Sequence, residues 1–284
     1  MAEIIDGRVL SQKFKNKLKD EVALLESAGK RLPKLVVVLI GENPASVSYV
    51  KGKAKACEEV GFLFELMKFE ESIQTKELID IIETCNLDST VDGILVQMPI
   101  PDHLDKTRIV EAISPKKDVD GFHITNVGNL YSGEDTFVPC TPLGIIEILK
   151  SIPVPILGKD VVVLGRSLLV GTPVAQLLTQ ENATVTICHS KTEHIEAHCR
   201  RADILVVAIG KRHFVKGDWI KEGAVVIDVG VNRHEDGKLY GDVEFESAKE
   251  KAAYITPVPR GVGPMTIAML LQNTWKAYCK KEEL

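Results

Sequence analysis

The sequence predicts an α/β protein in two halves, each a parallel sheet flanked by helices. Strand-like apolar runs alternate with helix-period stretches along almost the whole chain. The alternation breaks once, between 114 and 142, where turn residues crowd together. The length of 284 residues suits one large or two ordinary domains.

In order, Leu10, Phe14, Leu18, Val22 and Leu25 line one face of a helix that Gly29 can close. KLVVVLIG (34–41) is short and β-branched, a buried strand. Pro44 opens a helix that runs to about Val60, with Gly61 as its stop. A strand at 62–69, a helix at 75–86 and a strand at 91–97 follow, and Pro99 and Pro101 end that strand. The stretch 114–142 (DVDGF, NVGN, YSGED, PCTP) reads as loop. The helix TPLGIIEILKSI and the Pro-rich SIPVPILGK place a hinge near 140–157. KDVVVLG, TVTICH, ADILVVAIG and GAVVIDVG are four further strands, and a final apolar helix runs from Pro264 to about Lys280. Its stripe of Ile267, Leu270, Leu271 and Thr274 is core packing. These boundaries give one domain of residues 1–140 with the returning helix 264–284, and a second of 141–263.

Composition narrows the function classes. With 45% hydrophobic and 26% charged residues, disordered and fibrous classes are excluded. Aromatics at 5%, a net charge of −5 and no long run of like charge leave no nucleic-acid platform. Charges at Glu3, Asp6 and Arg8 exclude a secretory signal, and no stretch reaches the roughly 20 apolar residues of a membrane span. Six cysteines without C-x-x-C argue against disulfides or structural zinc, and Cys188 and Cys199 read as buried small hydrophobes. The expectation is a soluble, cytoplasmic chain with no nucleic-acid or membrane partner.

Two segments carry chemistry. Strand 160–165 runs into RSLLVGTP and a helix from Val174 to about Gln180, an order that cradles phosphate on free N–H groups and the helix dipole. It departs from G-x-G-x-x-G, with Ser167 at the second glycine and Gly171 one residue late, so an ordinary strand–helix turn is the competing reading. The next strand ends in His189, Ser190 and Lys191 with no acid. Together with Arg166 these suit a 2′-phosphate, favouring NADP over NAD on a Rossmann-like parallel sheet.

On the helix after Pro44, Ser46, Tyr49 and Lys53 follow i, i+3, i+7 along one face. A phenol beside an ammonium can hold it and pass a proton, and partial burial and repulsion by Lys51 and Lys55 can lower its pKa. A solvated lysine-rich face is the alternative. Gln97 ends a buried strand at its carboxyl side, where α/β sheets bind ligands, and Asp120 follows in the DVDG loop. His194 and His198 have a zinc-pair spacing, but neither a third ligand nor an intervening base completes it.

These residues belong to a recognisable set. S-x-x-Y-V-x-x-K-x-K (46–55), DGILVQMP (92–99), KDVDGF (117–122), PCTPLG (139–144), VVLGRSLLVGTP (162–173), TVTICHSKT (184–192), GAVVIDVGVN (223–232) and TPVPRGVGPMT (256–266) follow one another in order over nearly the whole chain. The chain thereby resembles the bifunctional methylenetetrahydrofolate dehydrogenase/methenyltetrahydrofolate cyclohydrolases. The resemblance implies two α/β domains with a cleft between them, a folate-binding catalytic domain and an NADP-binding one, and a homodimer. It implies Lys53 as catalytic lysine, with Tyr49 as stacking partner and Gln97 orienting it. Asp120 would grip the pterin, with Ser46 and Pro264 also on the substrate. Gly165, Arg166, Ser167, Gly171, Ser190 and Val231 would hold NADP. Two positions depart from the family pattern: Met98 replaces Leu, and Arg260 stands where the family has Gly, leaving open whether φ stays positive there. Competing readings are a same-family dehydrogenase without cyclohydrolase activity, an unrelated NADP-dependent oxidoreductase of the shikimate dehydrogenase kind, and a non-catalytic nucleotide sensor.

Overall fold

A computed structural model of the chain describes residues 1–235 and 237–284. It begins with β1 (Glu3–Ile4), α1 (Gly7–Ser27), β2 (Lys34–Ile40), α2 (Pro44–Val60), β3 (Leu63–Phe69), α3 (Thr75–Leu87) and β4 (Gly93–Val96). Three helices follow: α4 (Lys106–Ala112), α5 (Ile124–Ser132) and α6 (Cys140–Lys150). Then come β5 (Asp160–Leu164), α7 (Gly171–Gln180), β6 (Thr184–Cys188), α8 (Ile195–Arg201), β7 (Ile204–Val207) and β8 (Val225–Asp228). The short pieces β9 (Asn232–Arg233), β10 (Leu239–Tyr240), α9 (Phe245–Ala248) and β11 (Tyr254–Ile255) lead into α10 (Val262–Glu282). Among the described residues no helix is long and apolar enough to cross a membrane.

The chain divides into two compact units, Met1–Ser11 with Thr141–Thr266, and Gln12–Cys140 with Ile267–Leu284. The sequence boundaries differ in two places. The first eleven residues belong with the later half, because β1 pairs in parallel with β11, and the C-terminal return begins at Ile267.

The unit of Gln12–Cys140 and Ile267–Leu284 holds a three-stranded parallel sheet ordered β3-β2-β4. From Leu35 to Ile40 the central strand β2 is buried at every residue, which is why it reads as an unbroken apolar run. Edge strand β3 has a partly exposed face. Helix α2 starts where Asn43 Oδ1 accepts from the Ala45 and Ser46 N–H groups, with Pro44 in the first turn, and Gly61 ends it at φ 83°. The stretch 114–142 is not all loop, since α5 lies within it. His123 Nδ1 accepts from Thr125 N–H at its start and Gly133 closes it at φ 77°. Asn126, buried on that helix, bonds Asp118 and Thr136, so a polar residue sits where periodicity expects an apolar one.

The other unit holds a six-stranded sheet ordered β1-β11-β8-β7-β5-β6, parallel at every pairing. The connection reverses direction around β5: β6 lies on one side of it and β7 on the other. Such a switch point leaves room for a ligand beyond the carboxyl ends of the strands. Strands β1 and β11 were not expected from the sequence; two residues each are too few to show a period.

Candidate active site and cofactor pocket

Helix α2 turns Ser46, Val50, Lys53, Ala56, Cys57 and Val60 inward. Lys53 is only 9% exposed, and its Nζ donates to Gln97 Oε1 at 2.9 Å. Gln97 follows β4, and its backbone N–H donates to Val38 O at 2.9 Å. Its Nε2 donates to Met98 O at 2.6 Å, so the carbonyl end of the amide is left for the amine. Burial lowers the Lys53 pKa, while Asp120, Cys140 and Cys57 pull it back up. The direction agrees with the sequence reading, as does burial as a cause, whereas Lys51 and Lys55 are not among the groups that shift it. Ser46 is 1% exposed, and its Oγ has no hydrogen-bond partner among the described residues. Tyr49 differs from expectation. It lies at the margin of the face, 43% exposed, and its phenol makes no hydrogen bond among the described residues.

The Asp120 loop is moulded by its neighbours. Asp118, 1% exposed, accepts from the N–H groups of Gly121 (3.1 Å) and His123 (2.8 Å) and from Asn126 Nδ2 (2.8 Å). That leaves Asp120 as the carboxylate not spent on the backbone. Burial raises the Asp120 pKa and the Lys53 ammonium lowers it, with the Cys140 thiol alongside. Asn273 on α10 donates through Nδ2 to Val119 O (2.8 Å) and Val138 O (2.9 Å), pinning the chain beside Asp120 and just before Cys140. The result is an amine of lowered basicity, an amide and a carboxylate grouped within one unit. Such a group can accept a proton and hold a polar ligand edge.

In the other unit the phosphate loop rests on two glycines. A Cβ on Gly165 would lie 2.2 Å from Ala208 O, and one on Gly171 would lie 2.2 Å from Gly165 O. This close approach explains the spacing that misses G-x-G-x-x-G. The helix starts at Gly171 rather than Val174, and Ser167 Oγ accepts from the Val170 and Gly171 N–H groups at 3.2 and 3.4 Å. Ser167 therefore shapes the loop. Arg166 and Ser190 are exposed side chains with no partner among the described residues, and both line a cavity of about 260 Å³. His189, Phe214 and Lys211 also line it; Lys191, the cation expected from sequence, does not. Free donors, a cation and glycines that admit close backbone approach fit a dinucleotide phosphate. Val231, after β8, is 50% exposed. Pro264 is half-buried in the first turn of α10.

The chain is similar to known proteins over both halves. It matches the tetrahydrofolate dehydrogenase/cyclohydrolase catalytic domain over residues 5–120 and the NAD(P)-binding domain of the same proteins over 139–282. The chain belongs to the tetrahydrofolate dehydrogenase/cyclohydrolase family. The bifunctional protein FolD of Bacillus subtilis (strain 168) is 58% identical over 97% of both chains. Among solved structures, the bifunctional FolD methylenetetrahydrofolate dehydrogenase/cyclohydrolase of Campylobacter jejuni superposes with a TM-score of 0.96 at 48% identity, covering 100% of both. The Trypanosoma brucei enzyme, solved with NADP and an inhibitor, gives 0.95 at 40% identity over 100% of this chain and 99% of that one.

Several residues of this family member escaped sequence reasoning. Asp242, fully buried, accepts from the N–H groups of Ile209 (2.7 Å), Gly210 (2.9 Å) and Lys211 (2.8 Å). Asp228 accepts from Gly230, Asp242 and Val243. An aspartate in a turn-rich stretch gives no sign that it anchors a loop more than thirty residues earlier. Asn273 had a visible signal, an amide inside an apolar helical stripe. Arg260 takes a positive φ of 85°, and its guanidinium pairs with Asp6. His194 is not a helical residue four before His198; it is the N-cap of α8, at φ 51°.

Proposed function

We propose that Lys53 is the proton-transferring group of a bifunctional enzyme that works in two steps. The chain oxidises 5,10-methylenetetrahydrofolate to the 5,10-methenyl compound with NADP, then hydrolyses that product to 10-formyltetrahydrofolate. The observation that carries this is the buried Lys53 amine, bonded to Gln97 and electrostatically linked to Asp120.

Bound NADP supplies the acceptor for the hydride. The two nitrogens flanking the folate carbon push that hydride out with their lone pairs, so the first step asks for positioning and no protein base. Asp120 accepts paired N–H bonds from the amino-amide edge of the pterin, a charge-assisted fork. Tyr49 offers its exposed ring as a stacking surface, and the Ser46 hydroxyl, unpartnered among the described residues, completes the folate side of this unit. In the second step water adds to the cationic methenyl carbon and must lose a proton. The bond to one nitrogen then breaks, that nitrogen gains a proton, and the new hydroxyl gives its own proton to solvent as the formyl group forms, so one proton is released overall. A neutral Lys53 accepts the first proton and returns it in the second event, and burial is what keeps part of this amine neutral. General acid–base help of this kind contributes about 10²–10⁴ in rate, or about 3–5 kcal/mol. Arg166 and Ser190 hold the 2′-phosphate, while Gly165, Ser167, Gly171 and Val231 line the rest of the cofactor path. A cytoplasmic homodimer in one-carbon metabolism fits this reading.

Incubation with methylenetetrahydrofolate and NADP, following reduced cofactor and methenyl product by absorbance, tests both reactions at once. Lys53→Met should abolish methenyl hydrolysis and reduce dehydrogenation less. Equal loss of both, with unchanged folate affinity, would overturn the division of labour.

A further inference from the structure

We propose that Lys211 is a determinant of cofactor choice, the second cation that makes the pocket selective for a 2′-phosphate. The inference rests on the cofactor reading above and adds a residue that reading does not use.

A ribose 2′-phosphate carries close to two negative charges near neutral pH, as phosphate monoesters do. Arg166 supplies one compensating charge. Ser190 is neutral, and His189 is committed through Nδ1, which accepts from Lys191 N–H at 3.2 Å. The remaining cation on the cavity wall is Lys211. Arg166, Ser190 and Lys211 come from loops after β5, β6 and β7, three adjacent strands of the parallel sheet. They therefore converge at the switch point.

Lys211 is held by its backbone, and its charge is left available. Asp242 fixes three successive N–H groups, 209 to 211, and Gly210 between them takes φ 66°. The Lys211 ammonium lies 5.7 Å from the centroid of the Phe214 ring, another wall of the same cavity. No carboxylate among the described residues pairs with it, whereas Lys216 and Lys221 nearby are each paired. An exposed lysine on an anchored loop, facing a cavity with a free arginine and a free serine, is arranged to receive an anion.

The test uses the full chain with two probes, adenosine 2′,5′-bisphosphate and adenosine 5′-monophosphate, titrated by calorimetry. A charge-assisted hydrogen bond contributes about 1.5–3 kcal/mol, so Lys211→Met should weaken the bisphosphate about tenfold or more. Lys211→Glu should weaken it further, and Lys211→Arg should retain most of it. The monophosphate should bind all four proteins alike. In kinetics the KM for NADP should rise in the Met and Glu variants while the KM for NAD does not. An unchanged NADP-to-NAD preference in both variants would overturn the proposal, as would equal weakening of the two probes. A wild-type protein that used NAD as well as NADP would instead remove the cofactor reading itself.

Discussion

At Lys53 burial and charge pull in opposite directions, and burial wins. The hydrolysis needs the neutral amine, so its rate should climb as pH rises through a value below that of an ordinary lysine. Gln97→Glu replaces the accepting amide with a carboxylate at the same distance, favours the ammonium and raises that value. The acid limb of the pH–rate profile for methenyl hydrolysis should then move to higher pH; an unmoved limb would assign it to another group. Arg260 poses a different question. Holding an arginine at φ 85° costs on the order of 1 kcal/mol, and its exposed pair with Asp6 returns at most about 1 kcal/mol. Arg260→Gly relieves the first and loses the second, with glycine adding its own entropy cost. Denaturant unfolding should therefore change by less than about 1 kcal/mol.

The elements show what a sequence reveals and what it hides. Strands β2, β4, β5, β7 and β8 were legible because both faces are buried, so their apolar runs have no gaps. Helix α2 was legible because Asn43, Pro44 and Gly61 mark its ends. Lys53, Gln97 and Asp120 stood out as polar residues at a helix face, a strand end and a loop, and the structure groups all three in one unit. Helix α5 stayed hidden, since its inner face is stitched by Asn126 and Thr136 rather than packed with aliphatics. Lys211 stayed hidden for a related reason: nothing local in G-K-R-H distinguishes an anchored lysine from a solvated one until Asp242 is seen to hold the loop. Helix α10 belongs at this scale through Asn273. Asn273→Ala would leave the Val138 carbonyl without its donor and the Val119 carbonyl with only the weak Cys140 thiol at 3.4 Å, at about 1–3 kcal/mol for the first and less for the second. Unfolding free energy should fall by about 2–4 kcal/mol, and KM for folate should rise in both reactions because Asp120 loses its support. A stability loss with unchanged KM would separate the clamp from the site.

For the molecule as a whole, the buried Asp228 ties stability to pH. Burial pushes the Asp228 carboxyl up to about 7, overcoming three backbone N–H donors that favour its ionised form. An unfolded aspartate ionises near pH 4, about 3.9, so the folded state holds this proton more tightly. The stabilisation is complete below that value and is lost as pH rises through about 7. Resistance to denaturant should decline between about pH 4 and about pH 7, and Asp228→Asn should flatten the decline. The pairing of Glu3 with Tyr254 and Ile4 with Ile255 reaches further still. Residues 3 and 4 have no ladder to join until residues 254 and 255, about 250 positions further along the chain, have been made, so the larger sheet closes its border late in synthesis. Anyone cutting the gene at the hinge to express the nucleotide-binding half alone would leave β11 bare, an invitation for one copy to borrow an edge from the next.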